Sequence, residues 1–159
     1  MNEAAVFVER TAHLSRKLGA LRRLIRHLEY SRNRLAYPIS SVDALDETEL
    51  ESVSALVERF GKLQDLLGNV FREMLVLSGE DAMDMNDVLV RLEKLGVLDS
   101  ADDWRALRVL RNLGAHDYDD DDLDKTAFIN EVAAQSVKLD QIAGHALVYC
   151  RDQLNIQHT

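Results

Sequence analysis

The chain reads as all-α, an antiparallel bundle of four to five helices with no sheet. Apolar residues recur at three- and four-residue steps over three long stretches. No segment alternates in steps of two for long enough to propose a strand. One Pro and seven Gly in 159 residues leave little punctuation, which favours long helices over many short elements. No repeat, low-complexity linker or second domain is visible, so residues 1–159 read as a single helical domain.

Residues 2–36 carry Phe7, Leu14, Leu18, Leu21, Ile25, Leu28 and Leu35 on one helical stripe, with Arg22, Arg23 and Arg26 off it. This helix is expected to end near Tyr37-Pro38, because the residue before a proline is pushed out of the α region. Ile39 to Asp46 reads as a loop. A second helix opens with Asp46 or Thr48 as its cap and Glu49 and Glu51 in its first turn, where they complement the helix dipole. Its stripe runs from Leu50 through Val53, Val57, Phe60, Leu63, Leu67, Val70 and Met74 to Leu77, the most regular periodicity in the chain. Gly61 and Gly68 lie inside it, each costing about 1 kcal/mol relative to Ala, and their spacing permits close approach of a neighbouring helix.

A shorter helix is expected from Asn86 to Leu95, with Asn86 as cap and Gly96 as its stop. Asp99 or Ser100 caps a fourth helix beginning near Asp102. The last helix spans about Asp122 to Leu154, with Phe128, Val132, Leu139, Ile142, Ala146 and Tyr149 on its core face. The run Asp119 to Asp122 sits where the positive end of that helix's dipole holds carboxylates.

The net charge of −9 argues against broad nucleic-acid affinity. It is unevenly placed. Residues 1–36 hold eight Lys/Arg against three Glu, so a basic first helix joins an acidic body. That helix is either a polyanion contact or a solvated face. The lone Cys150 cannot form an internal disulfide and fits a reducing compartment. No apolar run approaches the ~18 residues of a membrane span, and no signal-peptide core opens the chain, so a cytoplasmic protein without membrane contact is expected.

Most chemical constellations are missing. None of the five histidines has a Glu three residues before it, as a di-metal bundle requires. The aspartate run lacks the Gly and terminal Glu of a calcium loop, and there is no phosphate-binding Gly loop or nucleophile elbow. Neither a metal nor a cofactor is expected.

One stretch differs. Trp104-Arg-Ala-Leu-Arg-Val-Leu-Arg111-Asn112-Leu-Gly-Ala-His116-Asp-Tyr118 begins as an amphipathic helix and ends in residue types suited to chemistry. On a wheel of about 100° per residue, Trp104, Leu107, Leu110, Leu113 and Val109 fill one arc expected to face the core. Asn112 and His116 share the accessible face with Arg105 and Arg108. Arg111 and His116 lie about 140° apart. They can serve one site only if the helix loosens near Gly114 or a second copy of the chain supplies partners.

Arg111-Asn112-x-x-x-His116-Asp117-Tyr118 resembles the Arg-x4-His-x-Tyr signature of HEPN-domain proteins, in particular the HepT-like toxins of toxin–antitoxin pairs. The likeness extends over about residues 86–130. It implies a single HEPN-like domain acting as a homodimeric, metal-independent endoribonuclease, with Arg and His of two subunits meeting at the interface. It implies attack by the RNA 2′-hydroxyl on its own phosphodiester, leaving a 2′,3′-cyclic phosphate and a 5′-hydroxyl. On this reading His116 exchanges protons near neutral pH, Arg111 opposes charge on the phosphate, and Asn112 orients the scissile group or fixes the His116 tautomer. Arg22, Arg23, Arg26 and Arg108 are candidate RNA contacts. The resemblance also implies a cognate minimal nucleotidyltransferase (MNT-type) antitoxin that adds AMP to Tyr118. Two alternatives stand beside it: a non-catalytic HEPN-like partner or substrate-binding subunit of a nucleotidyltransferase, and a purely structural cluster with Arg111 paired to Asp117 or Asp119.

Overall fold

The computed structural model describes residues 2–81, 84–114 and 121–158. Among them the chain is all helix: α1 (Glu3–Arg32), α2 (Glu47–Leu77), α3 (Met85–Lys94), α4 (Ala101–Leu113) and α5 (Asp122–Gln153), with one 3₁₀ turn at Val42–Ala44. The two-residue alternation that a strand needs is absent from the sequence, and no strand forms among the described residues.

Local chemistry sets the boundaries. The Asp46 carboxylate accepts from Glu49 N–H at 2.8 Å while Glu49 accepts from Asp46 N–H at 2.9 Å, a reciprocal box that fixes the start of α2. Ser100 caps α4, and Asp121 caps α5. α3 is capped by Asp84 and not by Asn86, whose side chain instead accepts from Arg105 on α4. Gly96, at φ 76°, takes the left-handed position just past α3 that glycine fills at no steric cost.

The first helix stops at Arg32, short of the expected Tyr37-Pro38. The reason is tertiary. Arg32 donates to Ser136 Oγ and forms an ion pair with Asp140 on α5 at 2.8 Å. The chain that follows is strapped to the same helix, because Asn130 exchanges two hydrogen bonds with the Ile39 backbone. Asp122 continues the strap by accepting from Ser41 Oγ and from Asp43 N–H. That geometry holds its carboxyl below the ordinary aspartate value, chiefly through the Asp43 N–H.

α1 and α2 pack antiparallel, with Lys17 beside Glu73 at one end and Arg59 donating to Ser31 at the other. α5 lies against both; Ser15 of α1 donates to the Gln157 carbonyl just past α5, and Ser78 at the end of α2 shares a hydrogen bond with Tyr149. Leu14, Leu18, Leu21 and Leu28 of α1 and Phe60, Leu63, Leu67 and Phe71 of α2 are all buried, as are Val132, Leu139, Ile142 and Ala146 of α5. Phe7 and Leu50 are exceptions on the expected stripes. Each lies near a helix end and stays exposed. Cys150 is buried and its thiol is pushed up to about 12 by desolvation, so it is a packing residue without thiolate character. No helix of the described residues is long and apolar enough to cross a membrane.

α3 and α4 form a short hairpin laid across α2, and α4 runs antiparallel to α2. Trp104 stands over Gly68, where an added Cβ would be 3.7 Å from its ring, and packs edge-on to Phe71 at 4.9 Å. Replacing Phe71 by Ala removes a fully buried ring from the junction of α2 and α4. A loss of about 3–5 kcal/mol in chemical denaturation is expected, whereas Phe7→Ala at the exposed end of α1 should cost under about 0.5 kcal/mol.

Candidate functional site

The C-terminal end of α4 rests on α2, and two arginines converge there on one carboxylate. Arg111 donates to Asp65 through both Nε, at 3.2 Å to Oδ1, and Nη2, at 3.0 Å to Oδ2. Arg108, one turn earlier, reaches the same Oδ1 at 2.8 Å. The two-pronged bond gives Arg111 a fixed orientation that a single contact could not. The Arg111 side chain passes over Gly61, where a Cβ would be in ordinary contact with it at 3.8 Å.

The electrostatics follow from this geometry. Asp65's carboxyl is held below the ordinary aspartate value, first by the hydrogen bond from Arg111 and then by that from Arg108, against some desolvation. The Arg111 guanidinium is raised for the same reason. Asp65 is 45% exposed, so the pair contributes little to stability, on the order of 0–1 kcal/mol. Its chief effect is positional.

Two grooves flank this ion-pair cluster. One, of ≈ 700 Å³, lies between α2, α4 and α5; Val57, Phe60, Leu110 and Ile129 form an apolar wall and Lys62 and Lys125 stand at the rim. The other, of ≈ 540 Å³, lies between α2 and α4 toward Trp104, with Arg72 at its edge. Gly114, which follows α4, sits tightly beside the first groove. A Cβ there would come within 3.1 Å of the Phe128 ring and 3.4 Å of Val57.

The expected site residues are divided. Arg111 is partly buried beside the Trp104 end of the apolar arc, as its wheel position requires; Asn112 and Arg105 are exposed, and Arg108, also exposed, turns back across the seam to Asp65. Regular helix ends at Leu113, and Gly114 caps it with its N–H still bonded to the Leu110 carbonyl; the residues that would show whether the helix loosens lie outside the described residues. His116, Tyr118, Asp117 and Asp119 lie outside the described residues. The arc itself needs correcting. Trp104, Leu107 and Leu110 face the core, but Val109 is 61% and Leu113 49% exposed. α4 is an edge helix covered on one side only, and its buried sector is too narrow for the whole arc.

Arg22, Arg23 and Arg26 are exposed on α1. They do not join Arg108. α1 packs on the α2 face that carries Arg59 and Glu73, whereas α4 meets the face that carries Gly61, Asp65 and Gly68. The partner of Arg111 among the described residues is Asp65, 46 positions away in the chain, which no local pattern indicated. No group of three or more His, Cys, Asp or Glu among the described residues could hold a metal ion.

No family model matches the chain, and neither a curated protein nor a solved structure matches it.

Asp65's depressed pKa makes the bridge testable. Such a group contributes stability above the pKa of the unfolded aspartate and loses it as pH falls through the lowered folded value. In a carboxyl NMR titration Asp65 should titrate below the ordinary aspartate range in the wild type and return toward it in Arg111→Ala. An unmoved Asp65 would mean that the bridge is not formed in solution.

Proposed function

We propose that the chain is a HEPN-like, metal-independent endoribonuclease of a toxin–antitoxin pair, acting as a homodimer in the cytoplasm. The observation that supports it is the placing of Arg111: a partly buried guanidinium, oriented by a carboxylate, at the mouth of two grooves and at the end of its helix. Asn112 stands beside it, and His116 and Tyr118 follow within seven residues of sequence. A guanidinium held in this way can accept a phosphodiester in place of the carboxylate with little further ordering.

In the proposed reaction the 2′-hydroxyl of a ribose attacks the adjacent phosphorus and the bond to the 5′-oxygen breaks. His116 takes or gives the proton, Arg111 opposes the charge on the phosphoryl oxygens, and Asn112 orients the scissile group or the imidazole. The exposed Val109 and Leu113 on the outer side of α4 offer an apolar surface for a second copy of the chain, which would bring a second Arg111 and His116 to the groove. Tyr118 is the proposed acceptor of AMP from a minimal nucleotidyltransferase antitoxin, a modification that would add bulk and negative charge to the motif.

The second reading, a non-catalytic HEPN-like partner or substrate-binding subunit of a nucleotidyltransferase, is favoured by one fact. Both Arg108 and Arg111 are already engaged by Asp65 in this structure.

Expression without a partner should slow bacterial growth, and Arg111→Ala or His116→Ala should relieve it. In vitro, cleavage should survive EDTA and leave cyclic-phosphate ends, with His116→Ala roughly 10²–10⁴-fold slower. Equal growth of wild type and variants, or a strict need for Mg²⁺, rejects the ribonuclease. Incubation with a nucleotidyltransferase encoded beside it and ATP should add AMP masses to the wild type and none to Tyr118→Phe. Sedimentation should give a dimer that Val109→Asp weakens; a monomer at all concentrations rejects the shared site.

A further inference from the structure

Beyond Arg111, toward the start of α4, lies the cleft of ≈ 540 Å³ between α2 and α4. Gly68 lies under the Trp104 indole, and Met85 lines the cleft as well, 4.0 Å from where a Cβ on Gly68 would be. The apolar line of α2 that runs beneath it, Phe60 to Phe71, is interrupted once. Gln64 sits on that line, fully buried, and neither its Nε2 nor its Oε1 has a hydrogen-bond partner among the described residues.

A buried amide without a partner is expensive, and leucine, found at positions 63 and 67, would fit the stripe without that cost. Around it stand three guanidinium groups, those of Arg72, Arg108 and Arg111, against the single carboxylate of Asp65. Arg72 is exposed, and no described carboxylate neutralises it. The cleft thus combines excess positive charge at its rim with an apolar floor. Within that floor one side chain offers a donor and an acceptor together.

The geometry points to a nucleotide-binding subsite: Arg72 and Arg108 take the phosphate, and the Gln64 amide reads the edge of the base. A side-chain amide matches the paired donor and acceptor of a nucleobase edge, as it does in adenine recognition. Asp65 is the counter-ion that the phosphate displaces. The amide has almost no accessible surface while Arg108 and Arg111 lie on Asp65. Binding therefore begins at the phosphate, which Arg72 meets first and which draws Arg108 off the carboxylate, letting the base reach Gln64. The inference deepens the ribonuclease reading and rests on it for its biological ligand: the cleft would hold the nucleotide next to the scissile phosphate at Arg111 and give the cut its base preference.

Trp104 is the single tryptophan of the chain and lines the cleft, so its emission reports occupancy directly. The full chain is titrated with the four nucleoside 5′-monophosphates and with inorganic phosphate, and short RNAs of each base are digested in parallel. At least one nucleotide should shift the emission and bind more tightly than phosphate. Gln64→Leu and Arg72→Ala should each weaken that nucleotide roughly tenfold, and Asp65→Asn should tighten it by a similar factor. Gln64→Leu should leave phosphate binding unchanged and melt no lower than wild type, since it removes an unpaired amide.

Equal nucleotide affinity in wild type, Gln64→Leu and Arg72→Ala overturns the subsite, as does binding that leaves the emission unchanged. The two readings fail separately. RNA cleavage with unaltered base preference in Gln64→Leu removes the subsite and leaves the nuclease. Nucleotide binding that follows the predicted order without any cleavage removes the nuclease and leaves the subsite.

Discussion

The seam between α2 and α4 is the constraint on which the rest of the site depends. α4 is only 13 residues long, about 20 Å, and is too short to be stable alone in water. Its position is set by what α2 offers it: Gly68 under the indole, Gly61 under the Arg111 stem, and a carboxylate between them that takes both arginines. The apolar half of the seam supplies the stability, because Trp104, Phe71, Leu107 and Leu110 leave water there. The ionic half aims the guanidinium groups. An exposed ion pair could not hold the helix by itself, and an apolar seam could not orient Arg111.

Two glycines lie inside the longest-running apolar stripe, both on the side of α2 that meets α4. Each forgoes about 1 kcal/mol of helix propensity, and each lies under a large side chain of α4. Gly114 is a stricter case. It faces the Phe128 ring at a distance where a methyl group would force the ring to give way, so the end of α4 can lie against α5 only with a small residue there. The helix thereby ends at a defined height above the grooves.

Much of the architecture was legible in the sequence because it is written locally. Periodicity gave the helices, and the caps at Asp46, Ser100 and Asp121 are one-residue signals with a known partner a turn away. The errors came where distant parts of the chain decide. α1 ends early because Arg32 and the loop after it are tied to α5. Val109 and Leu113 read as core on a wheel, but a wheel cannot say how wide a sector a neighbour covers. Of the ion-pair cluster, Arg108 and Arg111 stood out in the sequence, whereas Asp65 carries no local mark. Gln64 did carry one: it is an amide at a position where the flanking heptads place apolar residues, and that interruption could have been noticed in the sequence.

The separation of charge has a kinetic consequence. Arg22, Arg23 and Arg26 are exposed on α1, on a different flank from Arg111, while the sequence beyond α1 is acidic on balance. If the proposed polyanion is the ligand, those arginines would draw it toward α1 before it senses the grooves. Added salt would therefore slow first encounter much more than it would disturb a ligand already seated beside Arg111, whose ionic neighbours lie within a few ångströms and inside the screening length.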